Sequence, residues 1–84
     1  MLEPGEGVTL DDGREYVCAE CIEQDGKNYV YLGTLEEPTT VCFAAQAMVD
    51  DRLRIRVVSE KEEKLKVFAA FQAKIRSAFD QREA

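Results

Sequence analysis

The chain has 84 residues, enough for one domain whose single core is only just large enough to hold a fold and too few for a second. With 45% hydrophobic and 33% charged residues, and only five glycines and two prolines, it is expected to be globular rather than disordered or low in complexity. The net charge of −6 is divided unevenly: residues 1–51 carry Arg14 and Lys27 against twelve acids, a net of −10, whereas residues 52–84 carry nine basic residues against five acids, a net of +4. Overall acidity repels phosphate and so disfavours nucleic acid as a partner, leaving only a local basic stripe to consider.

Residues 1–7 hold no basic or apolar stretch of a signal peptide, and no uncharged apolar run approaches the roughly 18 residues of a membrane span. The expectation is a cytoplasmic protein with no membrane association and a loose segment at residues 1–7. Asp12-Gly13 and Asp25-Gly26 each sit between short runs rich in β-branched and aromatic residues, the pattern of hairpin turns. They predict strands near Val8–Leu10, Arg14–Glu23 and Asn28–Gly33. After the break at Glu36-Glu37-Pro38 a fourth strand is expected from about Thr39 to Ala44 or beyond, although Ala44-Ala45-Gln46-Ala47-Met48 has helical propensity. Asp50-Asp51 supplies another turn. In the fifth strand Arg52, Arg54 and Arg56 alternate with Leu53, Ile55 and Val57, so guanidiniums line one face and aliphatics the other.

A helix over residues 59–80 is expected next, with residues 81–84 as a frayed tail. Ser59 followed by Glu62 has the spacing of a capping box, and Glu60 and Glu63 suit the positive end of the helix dipole. Leu65, Phe68, Phe71 or Gln72, Ile75 and Phe79 recur every three or four residues as the stripe expected to face inward. The predicted class is α+β: one domain, 1–84, with an antiparallel β-meander of four to five strands over residues 8–58 and one amphipathic C-terminal helix packed across one face.

The order of these features, from Val8-Thr9-Leu10-Asp11-Asp12-Gly13-Arg14-Glu15 through Cys21-Ile22-Glu23-Gln24-Asp25-Gly26-Lys27-Asn28-Tyr29-Val30-Tyr31-Leu32 to Phe68-Ala69-Ala70-Phe71, resembles the YrzB-like family of small acidic bacterial proteins of unknown function. The resemblance covers residues 8 to 73 and rests on turn and core residues. It implies a fold and a bacterial cytoplasm, and it carries over no catalytic residue. Arg52, Arg54 and Arg56 depart from the family's acidic strand before the helix.

Cys18-Ala19-Glu20-Cys21 is a CxxC motif, with Cys42 further on. A structural zinc site normally takes four Cys or His ligands, and three cysteines with no histidine fall short of that set. In a regular strand, positions i and i+3 point to opposite faces about 10 Å apart, beyond the reach of a disulfide. The expectation is three reduced thiols acting as small semi-buried hydrophobes, with no metal and no cofactor. With no histidine for acid-base work, and no P-loop or dinucleotide glycine pattern, no enzyme is expected.

The carboxylate pairs Asp11-Asp12, Glu36-Glu37 and Asp50-Asp51 are accounted for by turns and a charged loop. Arg52, Arg54 and Arg56 have two readings: neutralisation by the acids of the first half, or a docking face for an acidic partner or an RNA backbone with Tyr29 and Tyr31 available to stack. The functional expectation is a non-catalytic protein-interaction or regulatory module with an unidentified protein partner, or a homodimer formed through a sheet edge. The alternative is a thiol- or zinc-responsive protein using Cys18, Cys21 and Cys42.

Overall fold

The computed structural model describes the backbone of residues 1–82 and the side chains of residues 1–76. The chain order is β1 (Gly7–Thr9), β2 (Glu15–Gln24), β3 (Lys27–Thr34), β4 (Val41–Val49), β5 (Arg52–Val57) and α1 (Lys61–Arg82). The strands form one antiparallel sheet in sequential order, a five-stranded meander, and α1 packs on it. The expected α+β class is observed.

The turns explain the register. Asp25 and Gly26 both take positive φ, 54° and 76°, and join the paired residues Gln24 and Lys27 as a two-residue hairpin loop whose twist matches the strands. Asp50 and Asp51 do the same between Val49 and Arg52, with φ of 52° and 62°. Asp tolerates this left-handed region better than most side chains, which is why a pair without glycine serves here.

β3 is the central strand, and both of its faces are apolar. Val30 and Leu32 are fully buried in a cluster with Leu2, Tyr16, Cys18 and Ala44. On the opposite face Tyr29 is buried with Val58, Val67 and Phe71, and Tyr31 packs alongside. Alanines in β4 fit this two-sided burial: Ala44 lies in the first cluster and Ala45 against the second, so burial overrides the helical propensity of Ala44–Met48 and β4 runs through to Val49.

Residues 1–7, expected to be loose, are docked instead. Leu2 is buried, its N–H donates to Gln46 Oε1 at 2.7 Å, and its carbonyl accepts from Gln46 Nε2 at 3.1 Å. Gly5 N–H donates to the Cys18 carbonyl, and Cys18 N–H to the Glu6 carbonyl, both at 2.8 Å. The reason is the apolar face of Val30 and Leu32, which α1 does not cover; Leu2 helps to cover it. Gln46, a buried amide in a strand, is satisfied by the Leu2 backbone.

The helix also differs from expectation. Its first backbone bond runs from Lys64 N–H to the Glu60 carbonyl, which places Glu60 rather than Ser59 at the cap, and it continues to Arg82 through part of the expected tail. Residues 83–84 lie outside the described residues. Val67 and Phe71 are the buried positions, whereas Leu65, Phe68 and Ile75 are 60%, 47% and 61% exposed; Phe79 lies outside the described side chains. Phe68 touches only the rim, edge-on to Phe43 at 6.2 Å between ring centroids. The phase of the helix is set by its polar contacts: Glu63 reaches Tyr29 and Arg56, and Lys74 reaches Glu20 and the Cys21 carbonyl. Residues 63, 67, 71 and 74 recur at helical spacing on one face, so those contacts turn Val67 and Phe71 inward.

Phe71→Ala is therefore expected to cost about 3–5 kcal/mol in denaturant unfolding, the usual cost of emptying a buried phenylalanine site. Leu65→Ala and Ile75→Ala should each change stability by less than about 0.5 kcal/mol, as exposed positions do. Equal losses at Leu65 and Phe71 would contradict the docked face described here.

Candidate functional site

The register brings the sequence-predicted tyrosines and arginines to one face. Tyr29 pairs with Ala45, and Ala45 with Arg56, so the three form a row across β3, β4 and β5 on the side that carries α1. The helix occupies that face. Tyr29 is 5% exposed and its hydroxyl donates to Glu63 Oε2 at 2.9 Å. Tyr31 lies edge-on to Phe43 and Phe71, at 5.2 and 6.0 Å between ring centroids. The buried Tyr29 ring is closed to stacking, which corrects the expectation for that residue, whereas Tyr31 is half-buried with its ring set against Phe43 and Phe71. Their hydrophobic payload is used to seat the helix.

Arg56 is likewise engaged. Its guanidinium holds Glu63 through two parallel hydrogen bonds of 3.1 and 3.0 Å. Arg56 is thus neutralised from the helix, not by an acid of the first half; among the described residues the ion pair that joins the two halves is Lys74 to Glu20 at 3.0 Å. Arg56 and then the Tyr29 hydroxyl pull the Glu63 carboxyl from its ordinary 4.5 down to about 2. Burial and then the Glu63 carboxylate raise Tyr29 above its ordinary value.

Arg52 and Arg54 are exposed and, among the described residues, form no ion pair. They lie on β5, an edge strand with no neighbour on its outer side among the described residues. Beside β5 the sheet curls toward β1, leaving a cleft of about 720 Å³ whose apolar wall includes Val8, Leu10, Leu53 and Ile55. Asp12 and Tyr16 stand at the β1 side of this cleft, with the Tyr16 hydroxyl donating to Asp12 Oδ2 at 2.7 Å. That bond, followed by the Arg14 backbone N–H, lowers the Asp12 carboxyl. Sequence reasoning missed Arg14, which donates to Thr40 Oγ1 at 2.6 Å and the Pro38 carbonyl at 2.7 Å and pins the β3–β4 loop. Its only signal was scarcity, since it is one of two basic residues before Arg52.

The cysteines hold the largest departure from expectation. The β2–β3 register shifts between Cys18 and Glu20: Cys18 pairs with Leu32 and Cys21 with Val30, while Ala19 has no partner. This β-bulge makes Cys18 and Cys21 two steps apart by register instead of three, so both side chains point to the Leu2 side. Their sulfurs are 3.4 Å apart, against the roughly 10 Å of a regular strand. Cys42 pairs with Leu32 from the other side and so stands two strands away from Cys18. All three thiols are free, and among the described residues no group of three or more Cys, His, Asp or Glu gathers in a metal-binding arrangement. Burial, then the hydrogen bond with Cys21, pushes the Cys18 thiol up to about 12, and burial raises Cys42 as well.

No protein-family model, curated protein or solved structure matches the chain. Among the described residues no helix is long and apolar enough to cross a membrane.

The depressed Glu63 value has a direct consequence for stability. A carboxylate whose pKa is lowered by folding stabilises the fold above its unfolded value and loses that contribution as pH falls through its folded value. The Glu63 contribution should be full above about pH 4.5 and fade toward pH 2. Melting temperatures measured from pH 7 to pH 2 should place Glu63→Gln below the natural protein at pH 7, with the two curves converging in that window. A constant gap down to pH 2 would show that Glu63 acts by packing alone.

Proposed function

We propose that the protein is a non-catalytic interaction module that takes up an extended acidic segment of a partner protein along β5. The observation that carries this reading is the alternation on that edge: Arg52 and Arg54 are exposed on one face, and Leu53 and Ile55 are half-buried on the other, beside an open cleft. An edge strand offers unpaired backbone groups to an added strand, and alternate side chains supply specificity.

Residues directly opposite one another in paired strands share a face, so the best complement to Arg/aliphatic alternation is acid/aliphatic alternation. The same rule argues against a homodimer through this edge. In an antiparallel pairing of two β5 strands, arginine meets arginine at every in-phase register, and like charges directly opposite are destabilising. A one-residue slip is no escape, because it puts the aliphatics on the wrong face.

The test is a titration of the folded protein with two extended peptides, one alternating Glu with Val or Leu and one in which every Glu is replaced by Lys. The acidic peptide should bind, and binding should weaken as salt rises. Arg52→Glu with Arg54→Glu should weaken it at least about tenfold, or about 1.4 kcal/mol, with the fold intact because neither arginine is buried. Equal affinity for the two peptides, or indifference to the double substitution, would overturn the reading.

A further inference from the structure

The geometry points to a second chemical property, independent of the β5 edge: Cys18 and Cys21 form a dithiol that hydrogen peroxide closes into an intramolecular disulfide, with Cys21 the sulfur oxidised first. The pair is built by the bulge at Ala19, which places the sulfurs 3.4 Å apart on one face. A disulfide needs about 2.05 Å between sulfurs, so closure takes less than about 1.5 Å of movement shared by two side chains.

The two thiols have different surroundings. Cys18 is 1% exposed, locked among Leu2, Val30 and Leu32, and its burial keeps it protonated. Cys21 is half-buried, and its thiol lies 3.3 Å from the Leu2 carbonyl, to which it donates. Access therefore favours Cys21 for the first step and Cys18 for the second. In the first step the Cys21 thiolate attacks one peroxide oxygen; the O–O bond breaks, Cys21 becomes a sulfenic acid, and the departing hydroxide takes up a proton to leave as water. In the second step the Cys18 sulfur attacks the Cys21 sulfur; the S–S bond forms, the S–O bond breaks, and the hydroxyl leaves with the Cys18 proton as a second water. Two thiols lose two hydrogens in all, and one peroxide is reduced to two waters.

The surroundings favour a disulfide over a metal site. Cys42 is two strands away, and the adjacent Glu20 carboxylate already accepts from Lys74 and from the Cys21 N–H at 3.0 Å each. A tetrahedral zinc site would lack two protein ligands. Closure would also remove the thiol that the Leu2 carbonyl accepts from, and so it acts on the docked N-terminal segment as well as on the bulge.

The experiment treats the reduced, folded 84-residue chain with hydrogen peroxide, blocks remaining thiols under denaturing conditions, and maps the products by mass. The expected product is a Cys18–Cys21 disulfide lighter by two hydrogens, with Cys42 free and the change reversed by dithiothreitol. Cys42→Ser should oxidise as the natural protein does. Cys18→Ser should stop at a Cys21 sulfenic acid that dimedone traps, whereas Cys21→Ser should leave Cys18 unmodified at the same dose. Dimedone capture at Cys18, a disulfide that includes Cys42, or three free thiols while added glutathione in the same tube is consumed would overturn the proposal. Protection of both Cys18 and Cys21 by one zinc ion per chain would overturn it in favour of a metal site.

Discussion

The structure depends on one constraint: β3 is apolar on both faces, and with one helix among the described residues both have to be covered. α1 covers Tyr29 and Tyr31 with Val67 and Phe71. The opposite face, with Val30 and Leu32, is covered by the curl of the sheet itself and by Leu2. Neither cover is held by hydrophobic contact alone. Leu2 is tied by two hydrogen bonds to the Gln46 amide, and α1 is tied by Glu63 in its first turn and by Lys74 further along. For a chain of this size, where the net stability is a small remainder, such directional contacts decide which of several apolar arrangements is adopted.

The parts of the fold legible in the sequence were those specified locally. Asp25-Gly26 and Asp50-Asp51 marked two-residue turns because few other residues accept positive φ, and the alternation of Arg52–Val57 defined β5 because a period of two suits only a strand. The parts that were not legible depended on what lay across the sheet. Two apolar stripes on α1 satisfy helical spacing, and only the positions of Tyr29 and Glu20 determine which one turns inward. Leu2 has no periodic neighbours, so nothing in residues 1–7 signalled that it fills the uncovered face. The bulge at Ala19 left no local mark either, and missing it reversed the reading of the CxxC motif, since a single extra residue moves Cys21 to the same face as Cys18.

The candidate site followed the same division. Arg52, Arg54 and Arg56 were identifiable as a row, but their roles diverge through tertiary context: Arg56 anchors the helix, whereas Arg52 and Arg54 remain exposed at the edge. Tyr29 and Tyr31 share the face of the arginines yet serve the core. The proposed recognition surface is the outer side of β5, where backbone groups, charge and the neighbouring cleft coincide. Exposed charge along an open edge strand disfavours its pairing with a second copy, a common way for small sheets to manage such an edge.

Residue-by-residue hydrogen exchange of the native protein tests the two-sided cover most directly. Slow exchange is expected at Val30 and Leu32 together with measurable protection of the Leu2 and Gly5 amides, which donate to Gln46 and to the Cys18 carbonyl. Exchange of Leu2 and Gly5 at the rate of an unstructured chain, with β3 still protected, would contradict it.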